Sequence, residues 1–375
     1  MPSETTRPQD EARTINVTGQ RLRVAIRPGD GTRTPLLLMN GIGVNLEVLQ
    51  QFVDTLNPAI EVIRFDAPGT GGSPAPLIPY RFSGLVWLVT KMLDQLGYRL
   101  VNVLGISWGG ALAQQFAFQY PIRCRRLILV STGIGAFMVP GNPAALAKIA
   151  TPRRYLDPAY MAQIAGEIYG GKMRTRPKFA HEFARTARLG SGLGYFYQML
   201  GGAGWSCIFW LHKFRQPTLI LHGDDDPLVP LVNAKIMHGL IPHAKLYIFH
   251  DGHLGLGTSA WEITQVVEKF LTAPCAGYVA HPFPKKTVFT RDCRRCDPPF
   301  PAFLPRSRSL QDGDGCLDHD GFSICSPSAI RLLSRSDWPT PDVLLRASEA
   351  VLVHSFAPSV SEPARKHDCP PKYDR

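Results

Sequence analysis

The pentapeptide Gly105-Ile106-Ser107-Trp108-Gly109 has the residue types that present a serine for nucleophilic attack. It closes the apolar run VNVLGIS and opens the helical run ALAQQFAFQY, so the serine lies in a turn between a predicted strand and a predicted helix. The two glycines lack the Cβ atoms that would collide where strand and helix meet in so sharp a turn. The spacing therefore predicts an exposed nucleophile, Ser107, at the carboxyl end of a strand.

A serine hydroxyl becomes an effective nucleophile only when a histidine takes its proton and a carboxylate orients that histidine. Three adjacent carboxylates, Asp224, Asp225 and Asp226, follow the apolar run PTLILHG, which reads as a late strand. Aspartates are also common turn residues. The residue types alone therefore leave open which of the three orients a base.

The predicted base is His253, which follows a glycine in the segment DGHL, after the strand-like run KLYIFH. A loop after the last strand is a suitable position, because parallel strands bring their carboxyl ends to one edge of a sheet. Four other histidines compete for the role: His222, His238, His243 and His250. Among them, His250 lies at a strand end and His222 precedes the acidic turn, so both are interpreted as structural or supporting groups.

Acyl transfer also needs hydrogen-bond donors for the oxyanion that forms on the carbonyl oxygen. The backbone N–H of Trp108 directly follows the predicted nucleophile. The loop NGIG at residues 40–43 follows the apolar run PLLLM, and its glycines allow it to fold back toward Ser107. We therefore expect the N–H groups of Ile42 and Trp108 to form an oxyanion hole.

The composition excludes several classes of protein. The chain has 375 residues, of which 45% are hydrophobic, as is typical of a globular protein with a sizeable core. Its net charge is +11, but the basic residues are scattered and are not interleaved with aromatic ones, so we expect no nucleic-acid partner. The sequence has no apolar run of secretory-signal or transmembrane length, which predicts a cytoplasmic protein.

Strand-like and helix-like runs alternate along most of the chain. Strands are predicted at residues 21–27, 35–41, 60–66, 101–107, 126–132, 217–223 and 245–250. Amphipathic helices separate most of them. This alternation predicts an α/β fold with a doubly wound, mostly parallel sheet.

The element pattern suggests five regions. We expect a flexible N-terminus at 1–13, a core in two parts at 14–134 and 214–272, a helical cap at 135–213, and a Pro- and Cys-rich disordered tail at 273–375. Two origins of this tail stay open, a functional extension and the product of a shifted reading frame. Its Cys293-x-x-Cys296 pair lacks a second close ligand pair, so we expect no metal site there, although Cys316, His319 and Cys325 follow.

Eight segments of the sequence carry a resemblance to a known family: NGIG at 40–43, DAPGTGGS at 66–73, GISWGGALAQQFA at 105–117, TPRRYLDP at 151–158, IYGG at 168–171, WLHKFRQPTL at 210–219, GDDDPLVPL at 223–231 and DGHL at 251–254. Together they closely resemble the intracellular medium-chain-length polyhydroxyalkanoate depolymerases, a family of α/β-hydrolases. The resemblance covers about residues 14–272. It implies the α/β-hydrolase fold with a helical cap before the acid-bearing strand, and a catalytic triad of Ser107, Asp226 and His253.

The resemblance also implies an activity. It indicates a serine esterase that hydrolyses poly(3-hydroxyalkanoate) storage polyester to hydroxyacids through an acyl-enzyme, without cofactor or metal, at the surface of cytoplasmic granules. Related polyester synthases carry cysteine where this chain has Ser107, and an acyl-serine is readily released to water. Two alternatives stay open: a small-molecule carboxylesterase or thioesterase, and a granule-associated binding protein with a vestigial site.

The predicted cap is rich in aromatic residues, which suit contact with an aliphatic polyester or with the granule. Packing inside the cap is the competing interpretation for each of them. They are Tyr155, Tyr160, Tyr169, Tyr195, Phe196, Tyr197, Trp205, Phe209 and Trp210.

Overall fold

The computed structural model of the protein describes residues 11–274, and eight segments of this part form strands. These are β1 (Glu11–Val17), β2 (Gln20–Arg27), β3 (Leu36–Met39), β4 (Val62–Phe65), β5 (Val101–Ile106), β6 (Cys124–Val130), β7 (Thr218–Gly223) and β8 (Lys245–Phe249). They form one sheet in the order β1-β2-β4-β3-β5-β6-β7-β8. The pairs β1/β2 and β2/β4 are antiparallel, and all others are parallel.

Helices connect the strands and cover both faces of the sheet. The α-helices of the core are α1 (Gln50–Thr55), α2 (Phe82–Gln95), α3 (Trp108–Gln119), α10 (Leu231–Leu240), α11 (Gly255–Thr258) and α12 (Ala260–Thr272). Those between β6 and β7 are α4 (Pro143–Ile149), α5 (Arg153–Leu156), α6 (Pro158–Tyr169), α7 (Gly171–Thr175), α8 (Pro177–Thr186) and α9 (Gly192–Gly202). The predicted α/β fold with a doubly wound, mostly parallel sheet is confirmed.

An apolar layer covers each face of the sheet, because successive side chains of a strand point to opposite faces. In β3, Leu37 belongs to the apolar cluster on the face covered by α2, α3 and α10, whereas its neighbour Leu38 belongs to the cluster on the face covered by α1 and α12. Strands β3 to β7 are almost continuously apolar and buried, as expected of parallel strands covered on both faces. Their carboxyl ends lie at one edge, where the predicted site residues follow them.

Strand β1 corrects the predicted N-terminal boundary. It begins at Glu11, inside the segment expected to remain flexible through residue 13, and pairs with β2 along its whole length. Thr18 and Gly19 connect the two strands with φ values of 50° and 92°. A two-residue hairpin turn with positive φ at both positions matches the twist of the flanking strands. The polar composition of this edge strand conceals it in the sequence.

The helices α4 to α9 all lie within the range 135–213 that the sequence assigns to a cap. Local signals explain where several begin. Proline occupies the first position of α4, α6 and α8, and the side chains of Asn142, Asp157 and Ser191 cap the backbone N–H groups at the starts of α4, α6 and α9. Apolar residues of α6, α7 and α8 form a third cluster, which also contains Leu228 and Val229 of the core.

Residues 275–375 of the predicted tail lie outside the described residues, and with them the candidate zinc residues Cys293, Cys296, Cys316, His319 and Cys325. Within residues 11–274, no helix combines the length and the apolar character needed to cross a membrane.

Candidate active site

Ser107 lies in the sharp turn that the sequence predicts between β5 and α3. Its φ of 54° is positive, which for a non-glycine residue costs about 1–3 kcal/mol. The turn depends on its glycines: a Cβ at Gly105 would lie 2.2 Å from the Gly109 carbonyl oxygen, and one at Gly109 would lie 2.1 Å from the carbonyl oxygen of Met39. No larger residue fits either position without movement of the backbone.

Hydrogen bonds from the neighbouring strand stabilise this strained turn. The Ser107 N–H donates to the Val130 carbonyl at 2.9 Å, and the Thr132 hydroxyl donates to the Ser107 carbonyl at 2.8 Å. Both bonds use the backbone of Ser107. They attach the turn after β5 to the end of β6, and they do not use the serine hydroxyl.

Asp226 lies buried in the turn after β7, and both of its carboxylate oxygens have partners. Oδ1 accepts hydrogen bonds from the N–H groups of Leu228 and Val229, each at 2.9 Å. Oδ2 lies 2.8 Å from Nδ1 of His253. Because a carboxylate only accepts, Nδ1 carries the proton, and Nε2 is the ring nitrogen of His253 that can take one from a nucleophile.

The other two aspartates of this turn are exposed and contact different partners. Asp224 lies 2.5 Å from Nδ1 of the exposed His250. Asp225 pairs with Arg174 at 3.0 Å and accepts from the Gly171 N–H at 2.7 Å, which links the turn to the cap. Of the three carboxylates, Asp226 is the one that the structure brings to His253.

His253 is 3% exposed and lies against the end of α6. Its N–H donates to the Tyr169 carbonyl at 2.7 Å, and its ring stacks on the Tyr169 ring, with centroids 6.2 Å apart. The glycine before it is required for this approach, since a Cβ at Gly252 would lie 1.9 Å from the Tyr169 carbonyl oxygen. The cap therefore takes part in positioning the histidine.

Ser107 and His253 both line a cavity of about 340 Å³ between the sheet edge and the cap. Its walls are largely apolar, including Ile42, Val44, Leu49, Ile106, Ile149, Met173, Phe179, Phe183, Leu228 and Leu254. Within residues 11–274 the Ser107 hydroxyl forms no hydrogen bond, so the link between His253 and Ser107 is not closed. Such bonds often tighten only when substrate is bound.

The two predicted oxyanion donors lie beside Ser107. Trp108 follows it, and the loop of Ile42 approaches it closely, since a Cβ at Gly41 would be 3.8 Å from the Ser107 Cβ. Neither the Ile42 N–H nor the Trp108 N–H forms a hydrogen bond within the described part of the chain. An unpaired N–H near a cavity is available to a ligand oxygen.

Two cap residues hold this loop: Gln198, which the sequence does not indicate, and Tyr155, one of the predicted cap aromatics. The side-chain Oε1 of Gln198 accepts from the Gly43 N–H at 2.7 Å, and its backbone carbonyl accepts from the Trp108 indole N–H at 2.9 Å. The Tyr155 hydroxyl donates to the Ile42 carbonyl at 2.8 Å. Sequence periodicity cannot indicate these roles, because the contacts join positions at least 90 residues apart.

Asp251 anchors the loop that carries His253. Its carboxylate accepts from the N–H groups of Lys172 and Gly252 and from the hydroxyls of Thr258 and Ser259, at 2.6–2.8 Å. Burial raises the pKa of Asp251, but hydrogen bonds led by that of Ser259 more than offset this and hold the pKa below its usual range. Asp251 therefore stays ionised and fixes the loop at neutral pH.

His222 lies buried behind the acid, with Nε2 2.7 Å from the Val229 carbonyl and 3.6 Å from Oδ2 of Asp226. Burial lowers the pKa of His222 below its ordinary value, although the charge of Asp226 acts in the opposite direction. The ring is therefore neutral at pH 7, with the proton on Nε2, which donates to the carbonyl. This agrees with the predicted supporting role.

The predicted cap aromatics divide between the cavity, the interior and the surface. Tyr155 and Tyr169 line the cavity. Tyr195 and Tyr197 are buried, whereas Phe209 is 73% exposed. Packing is therefore part of the role of this set, as the competing interpretation holds.

No group of three or more His, Cys, Asp or Glu side chains in residues 11–274 is arranged to hold a metal ion. The described cysteines, Cys124 and Cys207, are buried and free. This edge of the sheet brings together a serine, a histidine and a carboxylate beside two N–H groups that are unpaired within residues 11–274.

Comparison with known proteins agrees with this geometry. The family model described as alpha/beta hydrolase fold matches residues 34–199 and 203–260. The poly(3-hydroxyalkanoate) depolymerase of Ectopseudomonas oleovorans is 50% identical over 272 residues, which cover 72% of this chain and 96% of that protein.

Solved structures agree on the fold. An enol-lactonase from Burkholderia xenovorans LB400 has a TM-score of 0.61 at 22% identity, covering 70% of this chain and 100% of that one. A hydrolase from Pseudomonas aeruginosa PA01 has a TM-score of 0.60 at 24% identity, covering 70% and 99%. The chain belongs to the α/β-hydrolase fold family and, within it, to the family of the poly(3-hydroxyalkanoate) depolymerase of Ectopseudomonas oleovorans.

Proposed function

We propose that this protein is a serine esterase that hydrolyses the ester bonds of poly(3-hydroxyalkanoate) through an acyl-enzyme. The observation that carries the proposal is the 2.8 Å contact between Asp226 and His253 at a cavity that Ser107 also lines. The 50% identity to a poly(3-hydroxyalkanoate) depolymerase supports the substrate class.

In the proposed mechanism, Ser107 Oγ attacks the ester carbonyl carbon while His253 Nε2 takes the hydroxyl proton. Asp226 stabilises the imidazolium that forms, and the N–H groups of Ile42 and Trp108 bind the oxyanion. The proton then passes to the leaving alcohol, and the ester C–O bond breaks. Water, deprotonated by His253, attacks the acyl-serine and releases the acid.

The test compares the wild-type protein with Ser107→Ala on purified granules of polyester with short and with medium-length side chains. We expect the wild-type protein to release hydroxyacids and the variant to release almost none. Undiminished release by the variant would remove the whole catalytic assignment. Granule binding without release by either protein would favour a binding protein with a vestigial site.

The size of the cavity favours a second candidate. A volume of about 340 Å³ suits a small ester, so a small-molecule carboxylesterase or thioesterase remains the alternative. Hydrolysis of soluble acyl esters without any release from granules would support this second function over the first.

We further propose that the enzyme acts at the surface of granules in the cytoplasm. Leu77 and Ile78 are 97% and 74% exposed in the loop before α2, and Phe209 packs edge-on against the exposed Phe137. Exposed apolar side chains of this kind suit an apolar polymer surface. Co-sedimentation with granules tests this location, and loss of binding in a Leu77→Ser, Ile78→Ser double variant would support it.

A further inference from the structure

Arg154 is a buried cation in the wall of the candidate active site. It belongs to α5, is 1% exposed, and lines the same cavity as Ser107 and His253. Burial of a guanidinium is costly unless its charge and its N–H groups are compensated. Its partners therefore indicate whether its role is structural only.

The partners of Arg154 are neutral. Nη1 donates to the carbonyls of Ile149 at 3.0 Å and Thr151 at 3.4 Å, and Nη2 donates to the Tyr155 hydroxyl at 3.1 Å. The guanidinium also stacks on the rings of Tyr155 and Tyr195, at 4.4 and 5.4 Å from their centroids. These contacts orient the group, but none of them carries a full negative charge.

No carboxylate of residues 11–274 forms an ion pair with Arg154. The two carboxylates that line the cavity have other partners, since Glu47 pairs with Arg23 at 2.5 Å and Glu182 with Lys178 at 3.8 Å. The Nε of Arg154 is buried and has no hydrogen-bond partner in this part of the chain. Nε and Nη2 lie on one edge of a guanidinium, and this edge is the fork that matches a carboxylate.

We propose that Arg154 binds the free carboxylate at the end of a polyester chain and so directs cleavage to the ester bonds near that end. The proposal rests on the proposed esterase function and adds a mode of attack to it. A poly(3-hydroxyalkanoate) chain carries one carboxylate, at its carboxyl terminus, and its ester groups are neutral. Within residues 11–274 Arg154 has no carboxylate counter-ion, and it lines the same cavity as Ser107, so it distinguishes the charged chain end from a neutral ester group.

The reaction then proceeds from the chain end. Ser107 attacks an ester carbonyl near the carboxyl terminus, and the alkoxide that leaves is the terminal hydroxyacid fragment, held through its carboxylate by Arg154. That alkoxide takes the proton from His253 and departs as a free hydroxyacid. Water hydrolyses the acyl-serine and gives the shortened chain a new terminal carboxylate. One water is consumed for each ester bond broken, and the product chain is again a substrate.

The test uses a 3-hydroxyalkanoate trimer with a free carboxylate and the same trimer as its methyl ester. For the wild-type protein we expect kcat/KM to favour the free acid by about 10- to 100-fold, the range typical of a buried charge contact. In Arg154→Met this ratio is expected to fall to near 1. Because the ratio compares two substrates on one protein, a general loss of activity in the variant cancels.

Arg153→Met is the matched control. Arg153 is the adjacent arginine, is exposed, stacks on Tyr160 and does not line the cavity. It should keep the wild-type ratio. As a second readout, hexanoate should inhibit hydrolysis of the methyl ester competitively, with a Ki at least about tenfold weaker for Arg154→Met than for Arg153→Met.

The outcomes separate this inference from the function on which it rests. Equal kcat/KM values of the wild-type protein for the two trimers would overturn the role of Arg154 and leave the esterase function intact. Hydrolysis of neither trimer would instead contradict the proposed function. The wild-type comparison needs no variant, so the proposal remains testable even where Arg154→Met does not fold.

Discussion

The two halves of the candidate site differ in how completely their polar groups are paired. In the acid–base half, Asp226 has partners on both oxygens, and His253 is fixed through its ring and its backbone. In the nucleophile half, the Ser107 hydroxyl and the N–H groups of Ile42 and Trp108 form no hydrogen bonds within residues 11–274.

The difference indicates which half changes during the reaction. Groups that must hold one orientation throughout benefit from complete pairing, since the bonds prevent other orientations. Groups that must bind charge as it develops gain more from being positioned but unpaired, because interactions made only in the transition state accelerate the reaction. Substitutions in each half can therefore be compared directly.

Removal of the nucleophile should have the largest effect. We expect Ser107→Ala to lower kcat by about 10⁴- to 10⁶-fold, because the remaining groups can only bind and polarise the ester. Thermal unfolding should change little, since the Ser107 hydroxyl forms no hydrogen bond in the described chain. Ester hydrolysis and circular dichroism melting measure the two quantities. A large loss of stability would show that the hydroxyl supports the turn.

Disruption of the acid–base half should cause the second-largest loss of activity. Asp226→Asn is expected to lower kcat by about 10⁴-fold, because an amide can donate to Nδ1 and so favour the wrong tautomer of His253. Asp224→Asn is the control, since Asp224 contacts the exposed His250 instead. Similar losses in the two variants would contradict the assignment of Asp226 as the acid.

Loss of the contact that supports the oxyanion loop should reduce kcat by a smaller factor. Gln198→Leu removes the acceptor of the Gly43 N–H, and we expect kcat to fall about 10- to 100-fold with little change in KM, since an unmade buried hydrogen bond costs about 1–3 kcal/mol. Gln216→Leu is the control: this buried glutamine bonds to the Ala117 carbonyl, away from the cavity. It should lose stability without a matching loss of kcat.

The pH dependence of stability should show the smallest effect. Because burial lowers the pKa of His222, the unfolded chain takes up a proton below about pH 6.5 before the folded protein does. The free energy of unfolding should therefore fall as the pH drops below that value. In His222→Gln this part of the decrease should be absent. Urea unfolding at pH 7.5 and 5.5 measures this decrease in the wild-type protein and in His222→Gln. Equal decreases in the free energy of unfolding of the two proteins would contradict a neutral buried His222.

The sequence predicted the sheet well, because parallel strands leave an almost continuous apolar signal such as LLLM at β3. It missed β1, whose polar residues lie on an exposed edge and whose pairing depends on a turn at Thr18 and Gly19. The nucleophile turn was predictable because its glycines are a steric requirement that can be seen locally.

The rest of the site depends on contacts between distant positions. Spacing alone left three aspartates as possible acids, and the family resemblance selected Asp226, the one that contacts His253 in the structure. Gln198 carries no local signal at all, since an amide in an apolar helix does not indicate which loop it will reach. The same is true of Arg154, because only the three-dimensional arrangement shows that no carboxylate of residues 11–274 pairs with it.

The contact between the Tyr169 carbonyl and the His253 N–H has a consequence for transplanting caps between related hydrolases. The segment IYGG meets the segment DGHL with no room for a side chain, since a Cβ at Gly171 would lie 2.0 Å from the Gly252 nitrogen. These two segments pack as one unit. A chimera that exchanges the cap alone would misplace its own base, whereas one that carries both segments together should keep a working histidine.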